Sequence, residues 1–246
     1  MDCSGDQLRN AATLKPGTVL ANKYRLDDLI AEGGMGEVWV ATNLVLEVRV
    51  ALKVLRRSLV EDAEAEGRLL HEARAAAGIA HVNIIQVFDF GYVESGEPFI
   101  VMELLRGEDL GGRLARLGRL SAVHAVELIV PVTSALYAAH SKGIVHRDIK
   151  PQNIFVVADD SGLEYPKVVD FGIAKNQLRH APKLTSDGRV VGSPEYLSPE
   201  QARGENTVDA RADIWALAVT LYECITGELP FSDISYNSRD NPLYIH

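Results

Sequence analysis

Cysteine is scarce: two in 246 residues, Cys3 and Cys224, too few for a disulfide framework and without metal-ligand spacing. A reducing, cytoplasmic compartment is the expectation. Net positive charge is also lacking. A formal charge of −9, without clustered Lys and Arg, argues against a nucleic-acid partner. The amino end has no apolar run, since Asp2, Asp6, Arg9 and Lys15 interrupt it, so it does not read as a signal peptide. The most apolar long stretch, Ser121–Ala139, contains His124, Glu127 and Pro131 and reads as a buried helix, not a membrane span. Internal repeats and low-complexity linkers are missing as well. What is left, 47% hydrophobic and 24% charged, suits a soluble globular protein with one large domain or two small lobes.

From Tyr24 to about Met102, β-like runs dominate: Tyr24–Ile30, Glu37–Ala41, Val48–Leu55, Ile84–Phe90 and Phe99–Met102. They cluster or alternate Val, Ile, Phe and Trp between turn residues such as Gly33-Gly34 and Ser95-Gly96. One helical stretch, Glu61–Ala77, interrupts them. After Arg106 the pattern turns helical, with Ala122–Ser141 and Asp209–Thr226 long and apolar enough for core helices. Short strands at Ile154–Val157 and Lys167–Val169 lie between them. A strand-rich lobe followed by a helix-rich lobe predicts a ligand cleft.

Four segments carry chemistry. Gly33-Gly34-Met35-Gly36 is either a plain hairpin turn or a loop whose backbone N–H groups approach phosphate oxygens. No helix follows it, which disfavours a dinucleotide-binding turn. Lys53, in the apolar run Val50-Ala51-Leu52-Lys53, is either an edge-strand lysine or a cation aimed at phosphates with Glu72 as its partner. His146-Arg147-Asp148-Ile149-Lys150-Pro151-Gln152-Asn153 is decisive. So polar a loop between apolar segments is poorly explained as a connection, because buried charge costs several kcal/mol unless paired. Asp170-Phe171-Gly172 follows Asn153 by seventeen residues, which lets Asp170 and Asn153 face one divalent ion.

Together with Ser198-Pro199-Glu200, these segments stand in the order and spacing of the protein-kinase signatures. The sequence from Tyr24 to Phe231 therefore resembles the protein kinase superfamily, most closely bacterial serine/threonine kinases of the eukaryotic-like type. Lys150, two places after Asp148, marks the serine/threonine variant. The resemblance implies an α+β, two-lobed kinase fold: a small antiparallel sheet lobe with one helix over 24–102 and a helical lobe over 103–231. Residues 1–23 would be an extension and 232–246 an off-pattern tail. It also implies transfer of phosphate from ATP, with Mg²⁺, to serine or threonine hydroxyls of protein substrates. Gly33, Gly34, Met35 and Gly36 would cover the phosphates, with Ala31, Val38 and Ala51 beside the nucleotide. Lys53 would hold the α- and β-phosphates, locked by Glu72. Glu103 and Leu105 would meet adenine, with Met102 behind them. Asp148 would take the substrate proton, Lys150 would steady the γ-phosphate, and Asn153 and Asp170 would bind the metal. Arg147 would pair with a phosphate at Thr185 or Ser186 in the 175–191 loop.

Ser193 in place of the usual Thr and Ala218 where a Gly is common are mild departures from the family; two others carry consequences. Ala31 stands where a glycine is usual, which predicts a stiffer loop at a cost of about 1 kcal/mol. The stretch from Ser232 to His246 is polar and aperiodic, where the family continues with helices that include an Arg partner for the position of Glu200. A truncated helical lobe, with apolar faces of Asp209–Thr226 uncovered, is therefore expected, and with it low thermal stability and weak turnover. The competing reading is a non-catalytic module that binds nucleotide or a partner. A small-molecule phosphotransferase is disfavoured by the Ser198-Pro199-Glu200 segment.

Overall fold

The computed structural model describes residues 14–34, 36–57, 66–67, 70, 73–74, 76–159, 161–171, 194–205 and 207–230. Met35, Glu72, the 175–191 loop and the tail from Ser232 lie outside them. The chain divides into two compact units, Met1–Glu61 with Phe88–Leu104, and Asp62–Val87 with Leu105–His246.

Six strands build the first unit: β1 (Val19–Leu20), β2 (Tyr24–Gly33), β3 (Gly36–Asn43), β4 (Val48–Leu55), β5 (Val87–Tyr92) and β6 (Pro98–Met102). They form one sheet in the order β1-β2-β3-β4-β6-β5. Strand alternation sorts its residues by face. Trp39, Ala41, Val50, Leu52, Val54, Phe99 and Val101 turn to one side and bury themselves with Leu26 and Tyr24. Asp89 straps β2 to β5 by accepting from Lys23 Nζ at 2.7 Å and Tyr24 Oη at 2.6 Å. Ile84 and Ile85, expected to open β5, instead fall outside it: Ile85 N–H donates to the Val168 carbonyl at 3.0 Å, in the other unit's sheet.

The second unit is built on helices α1 (Leu110–Leu117), α2 (Ala122–His140), α3 (Pro199–Ala202) and α4 (Ala210–Thr226), with a three-stranded sheet β7 (Gly107–Asp109), β8 (Ile154–Ala158) and β9 (Glu164–Val168). The described residues between 66 and 77 are helical, and Ala76 packs in this unit's core with Ile79 and Ile84. Asn83 fastens that segment by donating Nδ2 to the Pro166 carbonyl at 2.8 Å. By length and composition α2 could span a bilayer. Its inner face instead fills the core through Leu128, Ile129, Val132, Ala135, Leu136 and Ala139. Asp209 caps α4, and Gly227 ends it with φ of 79°, its N–H donating to the Glu223 carbonyl. A Cβ at Gly227 would stand 2.7 Å from the Gly118 carbonyl oxygen, so the position requires glycine twice over.

Two polar clusters tie the helices to their surroundings, one to the sheet and one to the turn at Pro194–Tyr196. Arg113 of α1, nearly buried, reaches Glu164 of β9 through both terminal nitrogens at 2.6 Å and Glu108 of β7 through Nε at 2.9 Å. Replacing Arg113 with Met takes the guanidinium from Glu164, while Glu108 keeps Arg116 as a partner, and is expected to cost about 1–2 kcal/mol, a fall of roughly 2–8 °C in a thermal melt. Tyr196 Oη donates to Glu223 Oε2 of α4 at 2.6 Å. Burial pushes the Glu223 carboxyl above its ordinary range. A carboxyl raised by folding favours the fold below its unfolded pKa and loses that contribution as pH rises through the folded value. Glu223→Gln is therefore expected to melt higher than the parent chain at about pH 7.5. The gap should close as pH falls toward the ordinary 4.5, which parallel melts across that range will show.

Candidate active site

The first unit gathers one group of expected residues on a single sheet face. Register places Ala31 opposite Val38, Val38 opposite Lys53, Val40 opposite Ala51, and Ala51 opposite Met102. Directly paired residues share a face, and this one is the reverse of the Trp39–Leu52–Phe99 core. Beside it, Gly33 pairs with Gly36 at the hairpin's end. A Cβ at Gly33 or Gly34 would meet nothing within 4 Å, whereas one at Gly36 would stand 1.9 Å from the Val54 carbonyl oxygen. Gly36 is thus required by the fold, while Gly33 and Gly34 leave bare backbone open to an oxyanion. Ala31 follows a register shift after Leu29 but is not among the positive-φ residues, so the stiffness cost expected from it does not arise. Glu103 follows β6 in this unit.

Leu105 belongs to the second unit, and so does the polar loop. Asp148 is its centre. Asn153 donates Nδ2 to the Asp148 carbonyl at 2.7 Å and to its Oδ2 at 3.0 Å, and Lys150 Nζ stands 3.4 Å from the same oxygen. With Nδ2 so committed, Asn153 Oδ1 is turned elsewhere and accepts from no described residue. That leaves an oxygen donor fit for a hard divalent cation. Val169 N–H donates to the Asn153 carbonyl at 3.0 Å, which brings Asp170 next to the same loop. Asp170 takes a left-handed backbone with φ of 56°. Phe171 packs its ring against that of His146, centroids 4.7 Å apart.

His146 is fully buried and fixed by both ring nitrogens. Nε2 faces the Val169 carbonyl at 2.9 Å, and a carbonyl only accepts, so Nε2 carries the proton. Nδ1 then accepts from the Asp148 N–H at 3.2 Å. Arg147 has φ of 65°, in the left-handed region a side chain avoids. What holds it there was not legible in the loop. Asp213, from the first turn of α4, accepts from His146 N at 2.8 Å, Arg147 N at 2.7 Å and His140 Nε2 at 2.7 Å, its side chain fully buried. The sequence matched Asp213 only to a helix. A sharper signal lay in its setting, an acid enclosed by Ala212, Ile214 and Trp215. On the other side of Arg147, its carbonyl accepts from Gln201 Nε2 at 3.0 Å. The Arg147 Nε is buried and has no hydrogen-bond partner among the described residues.

A paired carboxylate with a lysine beside it and an oxygen-donor amide, on a strained and pinned loop, is suited to proton abstraction next to a polyanion. Comparison with known proteins agrees. The family model for the protein kinase domain matches residues 24–243, extending past Phe231. Serine/threonine-protein kinase pkn3 of Myxococcus xanthus is 46% identical over 221 residues, which is 89% of this chain and 40% of that protein. The probable serine/threonine-protein kinase PknB of Corynebacterium glutamicum is 40% identical over 216 residues, 87% of this chain and 33% of its own length. PknA of Mycobacterium tuberculosis is 41% identical over 220 residues, 88% and 49% respectively. The crystal structure of the Mycobacterium tuberculosis PknI kinase domain superposes with a TM-score of 0.71 at 29% identity, covering 88% of this chain and 79% of that one. The chain belongs to the protein kinase family, its relatives being bacterial serine/threonine kinases, and its fold is the protein-kinase fold of a sheet lobe and a helical lobe. It spans less than half the length of these named relatives.

Proposed function

We propose that this chain transfers the γ-phosphoryl group of ATP to serine and threonine hydroxyls of proteins, its own 175–191 loop among them. One observation carries the reading: the Asp148 carboxylate, held by Asn153 at 3.0 Å and Lys150 at 3.4 Å, on a loop anchored through Asp213. In the reaction a bond forms between the substrate hydroxyl oxygen and the γ-phosphorus, and the bond from that phosphorus to the β,γ-bridging oxygen breaks. The hydroxyl proton passes to Asp148, and ADP leaves. Lys150 offsets charge on the transferring group, and Lys53 that on the α- and β-phosphates. Gly33, Gly34 and Gly36 would place bare backbone over those phosphates. Asn153 and Asp170 would hold Mg²⁺, which when bound neutralises phosphate oxygens. The buried Arg147 Nε, without a hydrogen-bond partner among the described residues, supports an anion at its side, such as phosphate on Thr185 or Ser186.

Incubation with γ-labelled ATP and Mg²⁺, with and without a general protein substrate, tests this. Label is expected in both protein substrate and chain, and peptide mass spectrometry should place the chain's own label on Thr185 or Ser186. ATP binding without any transfer would replace the proposal with the non-catalytic reading.

A further inference from the structure

We infer that Gln201 is a positioning residue for Asp148, acting through the peptide that joins Arg147 to Asp148; the inference rests on the kinase reading of Asp148.

Gln201 occupies the third position of the four-residue helix α3, where a Gln or Glu after a Ser cap is the ordinary capping pattern. Half of its side chain does that. Oε1 accepts from Ser198 N–H at 3.1 Å, while Ser198 Oγ accepts from Gln201 N–H at 3.4 Å. The other half leaves the helix. Nε2 donates to the Arg147 carbonyl at 3.0 Å, fifty-four residues away in sequence. A capping role alone would be met as well by Glu, whose carboxylate has no N–H to donate.

That second bond falls on a critical plane. The Arg147 carbonyl and the Asp148 N–H belong to one rigid peptide unit. His146 Nδ1 holds its N–H at 3.2 Å and Gln201 holds its oxygen, so rotation of the plane is opposed at both edges. Rotation is what the backbone would otherwise favour, since Arg147 sits at φ of 65° without being glycine. Asp213 restrains the preceding N–H at 2.7 Å, and Gln201 supplies the restraint on the following carbonyl. Release of that carbonyl lets the plane turn and carries the Asp148 carboxylate off its aim, while Lys53 and the glycine hairpin are untouched.

The test compares Gln201→Glu with Ser198→Ala in the full chain. Gln201→Glu keeps the cap and removes the donor; Ser198→Ala removes the cap hydroxyl and keeps the donor. For Gln201→Glu the expected result is a melting temperature within about 2 °C of the parent and a KM for ATP within about twofold. Its kcat should fall about ten- to a hundredfold, as a misplaced base costs. Amide hydrogen exchange in the 144–150 peptide should quicken by about fivefold or more. Ser198→Ala should melt lower and keep its kcat. Parent-like kcat and exchange in Gln201→Glu would overturn the inference, as would an equal loss of kcat in Ser198→Ala. If the parent chain transfers no phosphate, the kinase reading fails on its own, and exchange decides the structural claim: faster exchange at 144–150 upholds it and unchanged exchange removes it.

Discussion

Asp148→Asn is expected to lower the rate of the proposed phosphoryl transfer about 1,000-fold while the fold survives. The side chains are isosteric, and the amide oxygen can still accept from Asn153 Nδ2, which now lies 3.0 Å from the carboxylate. The Asp148 backbone carbonyl keeps its own bond from Asn153 at 2.7 Å, so the loop retains its internal tie. Two things are lost: the base that receives the hydroxyl proton and the negative charge facing Lys150 at 3.4 Å. Lys53 and Met102 belong to the sheet of the other unit and keep their own register. The loss should therefore fall on kcat, with KM for ATP nearly unchanged and a melting temperature within a few degrees of the parent. Initial rates with labelled ATP, run beside a thermal melt, give both numbers. A variant retaining a tenth or more of the parent rate would show that Asp148 is not the base.

Asp213→Asn is expected to be the most damaging conservative change outside the reacting groups. Three donors converge on two carboxylate oxygens, His146 N–H and His140 Nε2–H on Oδ2 and Arg147 N–H on Oδ1. An amide has one acceptor oxygen. Whichever way it is flipped, its NH₂ confronts at least one buried donor, so no rotamer satisfies the site. Each stranded donor costs about 1–3 kcal/mol, and the loss of negative charge adds to it. The total, about 3–5 kcal/mol, corresponds to a fall of roughly 6–20 °C in melting temperature for a chain of this size. Turnover of the surviving folded fraction should fall too, because Arg147 loses a restraint on its left-handed backbone. His140→Ala removes a single donor and should cost much less. If Asp213→Asn melts like the parent, the pinned-loop account is wrong.

Much of this was legible in the chain because the chemistry is contiguous. His146 to Asn153 lie within eight residues, and their polarity against apolar neighbours announced a buried, paired site. The central strands were legible because Val, Leu and Trp alternate through Glu37–Ala41 and Val48–Leu55; the structure extends the first run by a residue or two at its ends and keeps the bounds of the second. Helix α1 escaped notice because Gly111 and Gly112 dilute its pattern within eight residues. Strand β7 has three residues, too few for a period to show. Ile84 resembled a strand residue from its neighbours, yet its pairing is set by Val168, which only the tertiary structure supplies. The sharpest omission was the support of Arg147. Local sequence cannot disclose that a backbone amide will be met by a carboxylate sixty-six residues later, or its carbonyl by a glutamine in between. The pairing of Lys53 with Glu72 was expected from the pattern alone, and Glu72 lies outside the described residues.

The reach of Asp213 also bears on how the protein is made. Asp148, Lys150 and Asn153 leave the ribosome before the residue that shapes their loop. At bacterial and eukaryotic synthesis rates, the sixty-six residues from Arg147 to Asp213 take about 3–13 s to translate. During that interval the nascent chain carries Asp148, Lys150 and Asn153 with Arg147 free to relax to an ordinary backbone. The loop geometry therefore forms late in synthesis, when α4 packs, and a nascent chain stalled before that point holds these residues without their arrangement.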